Sequence, residues 1–356
     1  MNNKPVFKIV IALLIFSFAQ SDAISKDKPV KMGTTAASFL EIGVGSAAVG
    51  MGSAYTTMCE DLSAIYWNPS KLAHIRQIEG MFMHQPWLVD INFSFLGGAL
   101  PLPGIGVVGL GVTMLNSGDI EETTLDFQDG TGSYYDCSDI ALSLCFAREM
   151  TDNFSVGFAG KYITQRISTM KASALAIDMG VYVVTPFFAR PDGNVKGMQI
   201  GMCISNYGGK MRMLGDDTYI AVDPDLNNGG NNELIEADYR TQAYNLPSVF
   251  RVGIAYDFFN TTHNRVTFAA DALHPNNNYE YINTGLQYQL SMWDGLVLKL
   301  RGGYKTLFLE DSMQGLALGF GLKYRLRGMA GFRFDYAFSD MNELGKVSSY
   351  TLSLIF

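Results

Sequence analysis

The chain has 356 residues, of which 48% are hydrophobic and only 17% charged, and its formal net charge is −8. The charged fraction is below the ~25% of soluble domains, and the acidity excludes a nucleic-acid-binding protein, which must neutralise phosphates. After residue 20 no apolar run reaches 18 residues, which excludes a bundle of transmembrane helices. Abundant glycine (37), phenylalanine (23) and tyrosine (18) favour a closed β structure.

The N-terminus has the three parts of a secretory signal peptide. Lys4 and Lys8 precede the apolar stretch 9–18, and 19–21 form a small-x-small cleavage site. We therefore predict that residues 1–21 are removed on export. Loss of the two lysines changes the net charge from −8 to −10.

Residues 22–75 are predicted to form a separate N-terminal plug, or hatch. The stretch 33–75 is rich in small residues, shows no alternation, and is too long for a structureless loop in a compact domain. A short helix is expected over 62–66, capped by Asp61 and ending before Pro69. Its glycines permit close backbone packing or left-handed turns.

From residue 77 onward the hydrophobic pattern has a period of two. In the last strand, Tyr350, Leu352 and Leu354 alternate with Thr351 and Ser353, as expected for strands with one apolar and one polar face. Fourteen strands are predicted: 77–84, 88–99, 105–116, 134–149, 153–168, 172–185, 196–207, 247–258, 264–274, 279–290, 295–304, 314–326, 329–339 and 347–356.

The connections between these strands differ on the two sides. The connections 117–133, 208–246 and 305–313 are long and polar, whereas several on the opposite side are tight turns. An even number of strands with this asymmetry is typical of bacterial outer-membrane barrels. The sequence therefore predicts an all-β transmembrane protein, in which residues 76–356 form a closed antiparallel fourteen-stranded barrel in the outer membrane of a Gram-negative bacterium.

Charged side chains fall on the inward positions of this barrel, because the large apolar residues must face lipid. They are Lys161, Asp178, Arg251, Asp271, Lys299, Arg301, Arg333 and Asp335. Mixed signs predict a lumen crossed by ion pairs. Either these pairs fill and staple the interior, or some of them contact a translocated ligand.

The hatch carries a specific family resemblance. The runs FLEIGVG (39–45), AVGMG (48–52), ED (60–61) and YWNP (66–69) resemble the N-terminal signature of the PorV/PorQ family. That family is similar in fold to FadL-type transporters, which are fourteen-stranded outer-membrane barrels with a hatch in the lumen. Ser53, Glu60 and Ser70-Lys71 depart mildly from the pattern.

The resemblance implies two roles. PorV-like members handle exported cargo for type IX secretion and surface attachment, whereas FadL-like relatives carry hydrophobic small molecules across the outer membrane. A structural barrel without either role is a third reading. The positions that match the family motif would be hatch residues with a structural or gating role: Gly50, Met51, Gly52, Asp61, Trp67, Asn68 and Pro69. Inward faces that look small and polar favour the cargo-handling role, with secreted proteins, secretion components and lipid as partners.

The long connection 208–246 is predicted to be a lid that faces cargo or ligand, because it contains apolar residues such as Leu214, Tyr219, Ile235 and Tyr239. Asp223, Asp225 and Asn227 alternate like the start of a calcium loop. The sixth position is asparagine and the twelfth is leucine, so a solvated loop is predicted there and no metal site.

No enzyme and no cofactor are predicted. The four histidines are scattered, and neither a zinc-binding HExxH nor a GxSxG nucleophile motif is present.

Overall fold

The computed structural model describes residues 32–191, 194–195, 197–223, 235–292, 295–309, 312–325 and 330–356. The predicted signal peptide, residues 1–21, lies outside these residues, as do Asp225 and Asn227. Within the described part of the chain, no helix combines the length and the apolar character needed to cross a bilayer.

The described residues contain sixteen strands, fourteen of which form one closed antiparallel barrel. Each of these fourteen pairs with the next along the chain, β7 pairs with β10, and β16 closes the barrel on β1. The predicted fold class is confirmed. The strands are β1 Glu79–Pro86, β2 Asn92–Leu102, β3 Gly106–Glu121, β4 Tyr134–Thr151, β5 Phe154–Ile167, β6 Met170–Val184, β7 Gln199–Gly208, β8 Tyr219–Val222, β9 Ile235–Asp238, β10 Val249–Asn260, β11 Asn264–Pro275, β12 Tyr281–Ser291, β13 Leu296–Leu307, β14 Leu316–Arg325, β15 Gly331–Asp340 and β16 Lys346–Ile355.

Alternation along each strand sorts side chains between lipid and lumen. In β4, Leu142, Leu144 and Phe146 are exposed on the outer face, while Ala141 and Cys145 are buried inside. This arrangement suits the hydrocarbon core of a bilayer. Apolar side chains are stable on the lipid-facing surface there, and every backbone group must be paired within the sheet.

The hatch enters the barrel from one mouth and leaves at the other. Ala36 donates its N–H to the Asn245 carbonyl, 2.9 Å away, at the mouth that carries the long connections. The chain then descends to Ile75 and continues into β1 at the opposite mouth. By the loop-length rule, the first mouth is extracellular and the second periplasmic.

Two connections do not follow the predicted asymmetry. On the extracellular side β5 and β6 are joined by residues 168–169 alone, and on the periplasmic side β6 and β7 are joined by residues 185–198. The long periplasmic connection extends the ladder, since Thr185 donates to the Met198 carbonyl at 2.9 Å and Met198 to that of Phe187 at 2.8 Å.

The hatch is built from four short helical turns. They are the 3₁₀ turn Ser38–Glu41, the α-helical turns Ser46–Gly50 and Ala64–Trp67, and the 3₁₀ helix Pro69–His74. The helix predicted over 62–66 therefore begins two residues later. An Asp61 carboxylate oxygen accepts the N–H of Ser63 at 3.0 Å and its hydroxyl at 2.5 Å, which delays the helical start. Pro69 begins a new turn, as its fixed φ allows.

The lipid-facing position of Leu144 gives the first prediction. Leu144→Arg places a charge near the middle of the hydrocarbon layer, so the free energy of unfolding in vesicles should fall by about 2–4 kcal/mol. Tyr134→Arg, at the extracellular end of the same strand, should change it by less than about 1 kcal/mol. Guanidinium titrations of both variants in lipid vesicles measure the difference, and equal losses would argue against a membrane-embedded wall.

Candidate functional site: the plugged lumen and its extracellular mouth

The apolar core of the protein lies between the hatch and one side of the barrel wall. Met81, Met83, Phe93 and Phe95 of β1 and β2 are almost fully buried and form one cluster with Val44, Met51, Leu62, Ile65 and Leu72 of the hatch. The expectation of small, polar inward faces is therefore wrong for β1 and β2. Their inner faces are apolar because the hatch gives them an apolar surface to pack against.

Toward β13 and β14 the hatch backbone contacts the backbone of the wall directly. A Cβ atom on Gly50 would lie 2.8 Å from the Gly319 Cα, and one on Gly52, whose φ is +61°, would lie 2.5 Å from the Tyr304 nitrogen. Met51, between them, is fully buried. Nearby, the Ser46 N–H donates to the Thr351 hydroxyl of β16 at 2.9 Å. These predicted hatch residues thus pack against the last strands of the barrel.

The YWNP motif ties the hatch to itself and to the wall. The Trp67 indole N–H donates to the Val44 carbonyl at 2.7 Å. The Asn68 amide donates to the carbonyls of Thr56 and Val181, each at 3.1 Å, and accepts from Ser70. Pro69 follows as the first residue of the 3₁₀ helix. Trp67 thus contacts another part of the hatch, and Asn68 contacts both the hatch and the wall.

Hatch carboxylates face wall cations in the periplasmic half of the lumen. Arg333 lies 3.5 Å from Asp61 and 3.2 Å from Glu79. Glu60 lies 2.7 Å from the Lys299 ammonium and 3.2 Å from the Arg265 guanidinium. The sequence analysis missed Glu60, Glu79 and Arg265 as members of this network. Glu60 could have been found from its place beside Asp61 in the family motif.

Two further ion pairs join wall strands, one linking β13 to β15 across β14 and the other linking the neighbouring strands β5 and β6. Arg301 and Asp335 lie 2.7 Å apart with side-chain exposures of 2% and 1%. Lys161 and Asp178 lie 2.6 Å apart with exposures of 4% and 0%. Such deeply buried charges must be paired, because desolvation of a lone charge is costly.

Arg251 and Asp271 bind the hatch and not each other. Asp271 accepts the backbone N–H groups of Tyr55 and Thr56, both at 2.8 Å. The Arg251 guanidinium lies 5.4 Å from the ring centroids of both Tyr66 and Trp67. The Lys161 ammonium also lies 5.9 Å from the Tyr66 ring centroid. Five of the eight lumen residues therefore contact the hatch: Lys161, Arg251, Asp271, Lys299 and Arg333. This arrangement favours the interpretation of a filled, stapled interior.

Lys71 is a buried cation that the sequence analysis did not single out. Its residue exposure is 7%, and its ammonium lies 3.8 Å from the centroid of the Tyr182 ring. Burial lowers the pKa of Lys71 from 10.5 to about 8. Its position in the motif, where the family commonly has glycine, was the available signal.

Above the hatch, a cavity of about 310 Å³ opens toward the extracellular mouth. Its apolar lining includes Phe39, Ile42 and Trp87, and its polar lining includes Gln85 and Lys305.

The connection 208–246 lies at this mouth and is anchored to both wall and hatch. Leu214 and Lys171 exchange two backbone hydrogen bonds of 2.8 and 2.9 Å, and Met211 and Tyr244 exchange another two. Met211 is buried together with Phe39 and Leu40 of the hatch. Beyond these anchors, β8 and β9 form a small two-stranded sheet. We call residues 209–248 the lid.

The lid exposes large apolar side chains among charged ones. Leu214, Tyr219 and Tyr239 are 61%, 60% and 65% exposed, respectively. Asp223 belongs to the lid, whereas Asp225 and Asn227 lie outside the described residues. Among the residues that the structure describes, no three histidine, cysteine or acidic side chains are grouped as a metal site requires.

Comparison with known families gives one match. The model of the family "Type IX secretion system protein PorV" matches residues 25–241, which is more than half of the chain. No curated protein sequence matches.

Solved structures share the fold at low sequence identity. The CymD monoaromatic hydrocarbon channel aligns with a TM-score of 0.56 and 12% identity over 88% of this chain and 97% of its own. The Pseudomonas putida toluene transporter TodX aligns with a TM-score of 0.54 and 10% identity over 88% and 96%. A FadL homologue of Pseudomonas aeruginosa aligns with a TM-score of 0.52 and 11% identity over 88% and 98%. The likeness shows that the barrel is FadL-like in fold.

The Arg301–Asp335 pair leads to a second prediction. Arg301→Met leaves Asp335 charged and buried, so the free energy of unfolding should fall by about 3–5 kcal/mol. The double variant Arg301→Met/Asp335→Leu removes both charges and should recover most of this loss. Denaturant unfolding in vesicles measures both. If the double variant were as unstable as Arg301→Met alone, the unpaired charge of Asp335 would not be the cause of the lost stability.

Lys71 leads to a third prediction, which concerns pH. The unfolded chain keeps the Lys71 proton up to about pH 10.5 and the folded chain only up to about pH 8, so protonation favours unfolding and stability rises with pH between these values. The methionine side chain of the Lys71→Met variant has no group that binds a proton in this pH range. The variant should be more stable than the parent protein by about 3 kcal/mol at pH 7, with the advantage disappearing by about pH 10.5. Stability curves that run parallel across this range would contradict the prediction.

Proposed function

This chain belongs to the family of the type IX secretion system protein PorV, and on that premise we propose that it captures exported polypeptide cargo through its extracellular lid. The resemblance seen in the hatch motif is confirmed. The protein is a type IX secretion-associated barrel of the Gram-negative outer membrane. The proposal concerns what the barrel does there: it binds cargo or secretion components for surface attachment.

The filled lumen supports a binding role over that of an open pore. Hatch residues contact the wall through the apolar cluster, the Glu60 and Asp61 ion pairs and the Asp271 hydrogen bonds. A polypeptide could cross only if all these contacts were broken. The extracellular mouth, in contrast, is accessible without any rearrangement.

The observation that carries the proposal is the set of large apolar side chains that the lid exposes. Its base is buried against Phe39 and Leu40, while Leu214, Tyr219 and Tyr239 are left exposed. Contiguous exposed apolar side chains on an anchored element are typical of a protein-binding surface.

Catalysis is not part of the proposal. The PorV and FadL-like families of outer-membrane barrels are non-enzymatic. The Ser155 hydroxyl lies 3.4 Å from His74 Nε2, and His74 Nδ1 lies 2.8 Å from Glu149. Ser155 nevertheless has 0% exposure, so a substrate cannot reach it. We interpret this group as a structural contact between the end of the hatch and the wall.

A second candidate function is transport of hydrophobic small molecules. The 310 Å³ cavity beside the hatch favours it, because its lining includes Phe39, Ile42 and Trp87. Structures with the same fold include a toluene transporter and a monoaromatic hydrocarbon channel.

Deletion of residues 216–238 tests the proposal and is the fourth prediction. The deletion removes the small sheet and keeps the Leu214 and Met211 anchors, so the barrel should retain its heat-modifiable electrophoretic migration. The full-length protein is used for affinity capture from detergent-solubilised outer membranes, and the captured proteins are identified by mass spectrometry. It should recover exported proteins that have a C-terminal domain in common with one another. The deletion variant should recover at least tenfold less of them.

The triple variant Tyr219→Ser/Ile235→Ser/Tyr239→Ser should reproduce the loss, and Val89→Ser, in the turn between β1 and β2, is the matched control. Undiminished capture by the deletion variant would overturn the lid proposal. Co-purification of hydrophobic small molecules without exported proteins would establish the second candidate.

A further inference from the structure

The connection between β3 and β4 forms a hairpin that stands clear of the barrel wall. β2 starts at Asn92, which pairs with Asn116 of β3, and β5 ends at Ile167, which pairs with Cys137 of β4. Residues 117–136 therefore extend beyond the strands on both sides. We call this segment the free hairpin.

The free hairpin is an ordered two-stranded ladder. Asp119 pairs with Asp136 and Glu121 with Tyr134. Beyond them, Glu122 donates to the Ser133 carbonyl at 2.9 Å and Thr131 donates to the Glu122 carbonyl at 2.8 Å. At about 3.3 Å per residue, this ladder reaches roughly 20 Å beyond the last strand contacts.

Large apolar side chains are mostly exposed along this hairpin. Leu125 is 93% exposed, Phe127 62% and Tyr134 63%, and all residues from 121 to 129 are exposed. A two-stranded ladder with no packed face is marginally stable in water, and each of its outer edges offers backbone groups to another strand. These features are those of an element completed by a partner.

The charge of the free hairpin specifies the chemistry of that partner. Segment 117–136 contains no lysine or arginine, and its acidic residues are Asp119, Glu121, Glu122, Asp126, Asp129 and Asp136. Asp136, at the base, pairs with Arg166 of β5. The other five are exposed. A phosphate-bearing lipid surface would repel these carboxylates, whereas a basic polypeptide would be attracted to them.

We propose that the free hairpin docks a basic polypeptide segment with apolar side chains, which adds a strand to one hairpin edge and covers Leu125 and Phe127. The proposal rests on the protein-binding role proposed above but assigns it a second surface, separate from the lid. Backbone pairing would supply affinity, and the carboxylates would select lysine- and arginine-rich segments.

Photo-crosslinking in native outer membranes tests the contact. The photoreactive residue p-benzoylphenylalanine is placed at position 125 or 127 of the full-length protein, and at Leu144 of the lipid-facing wall as a control for reactivity. Positions 125 and 127 should form adducts with peptides that mass spectrometry shows to be rich in lysine or arginine and in apolar residues. Adducts with lipid alone, adducts with acidic peptides, or no adduct while Leu144 reacts would each overturn the proposal.

A peptide probe tests the charge selection. A synthetic peptide that alternates lysine with phenylalanine or leucine should bind the purified protein, and its glutamate counterpart should not. Asp126→Lys/Asp129→Lys and Leu125→Ser/Phe127→Ser should each weaken binding at least tenfold. Glu343→Lys, in the connection between β15 and β16, is the control for general surface charge.

The lid deletion separates the two proposals. It should leave binding of the lysine peptide unchanged, even though it abolishes cargo capture. If Glu343→Lys lost as much peptide binding as the hairpin variants, the free hairpin would not be the site. The same would follow if only the lid deletion lost peptide binding. If the hairpin binds the peptide and the lid deletion still captures cargo, the lid proposal fails and the hairpin proposal stands.

Discussion

The structure depends on the requirement that every backbone N–H and C=O group inside the hydrocarbon layer be paired within the protein. Antiparallel strands meet this requirement only when the sheet closes, and pairing of β16 with β1 closes it. Closure creates an interior that side chains of the wall alone do not fill. The hatch fills it, and several buried charged residues of the wall, among them Asp271, Lys299 and Arg333, find their partners on the hatch.

The interior combines two kinds of packing that a soluble core seldom places side by side. Toward β1 and β2 the hatch meets methionine and phenylalanine side chains, and toward β12–β14 it meets glycine backbone. Charged residues of the wall also form pairs with little exposure to water. An interior organised in this way supports the proposed binding role at the extracellular end of the molecule.

The fold could be predicted from sequence because the membrane imposes a strict alternation. Leu142, Leu144 and Phe146 in β4 show it without any knowledge of neighbouring strands. The inner faces of β1 and β2 could not be predicted in the same way. Met81, Met83, Phe93 and Phe95 look like lipid- or lumen-facing residues equally well until the hatch is known to lie beside them.

The candidate site was predictable only in part. Asp61, Trp67 and Asn68 belong to a recognisable motif, but their partners Arg333, Val44 and Val181 are distant in sequence. The free hairpin was predicted only as the long polar connection 117–133, because its polar sequence shows no apolar alternation that would indicate strands. Where β3 and β4 lose their neighbours depends on the ends of β2 and β5, which no local pattern in β3 or β4 reveals.

The closure of the barrel also constrains the order of assembly. The hatch precedes every barrel strand in the chain, yet Ser46 bonds to Thr351 of β16 and Asp61 pairs with Arg333 of β15. It leads directly into β1, one side of the β1–β16 seam. A seam that closed first would have to thread the hatch through a finished ring. The N-terminal segment must therefore already lie inside the curving sheet when the last strand arrives, so that the strands close around it and the final native contacts join the two ends of the chain.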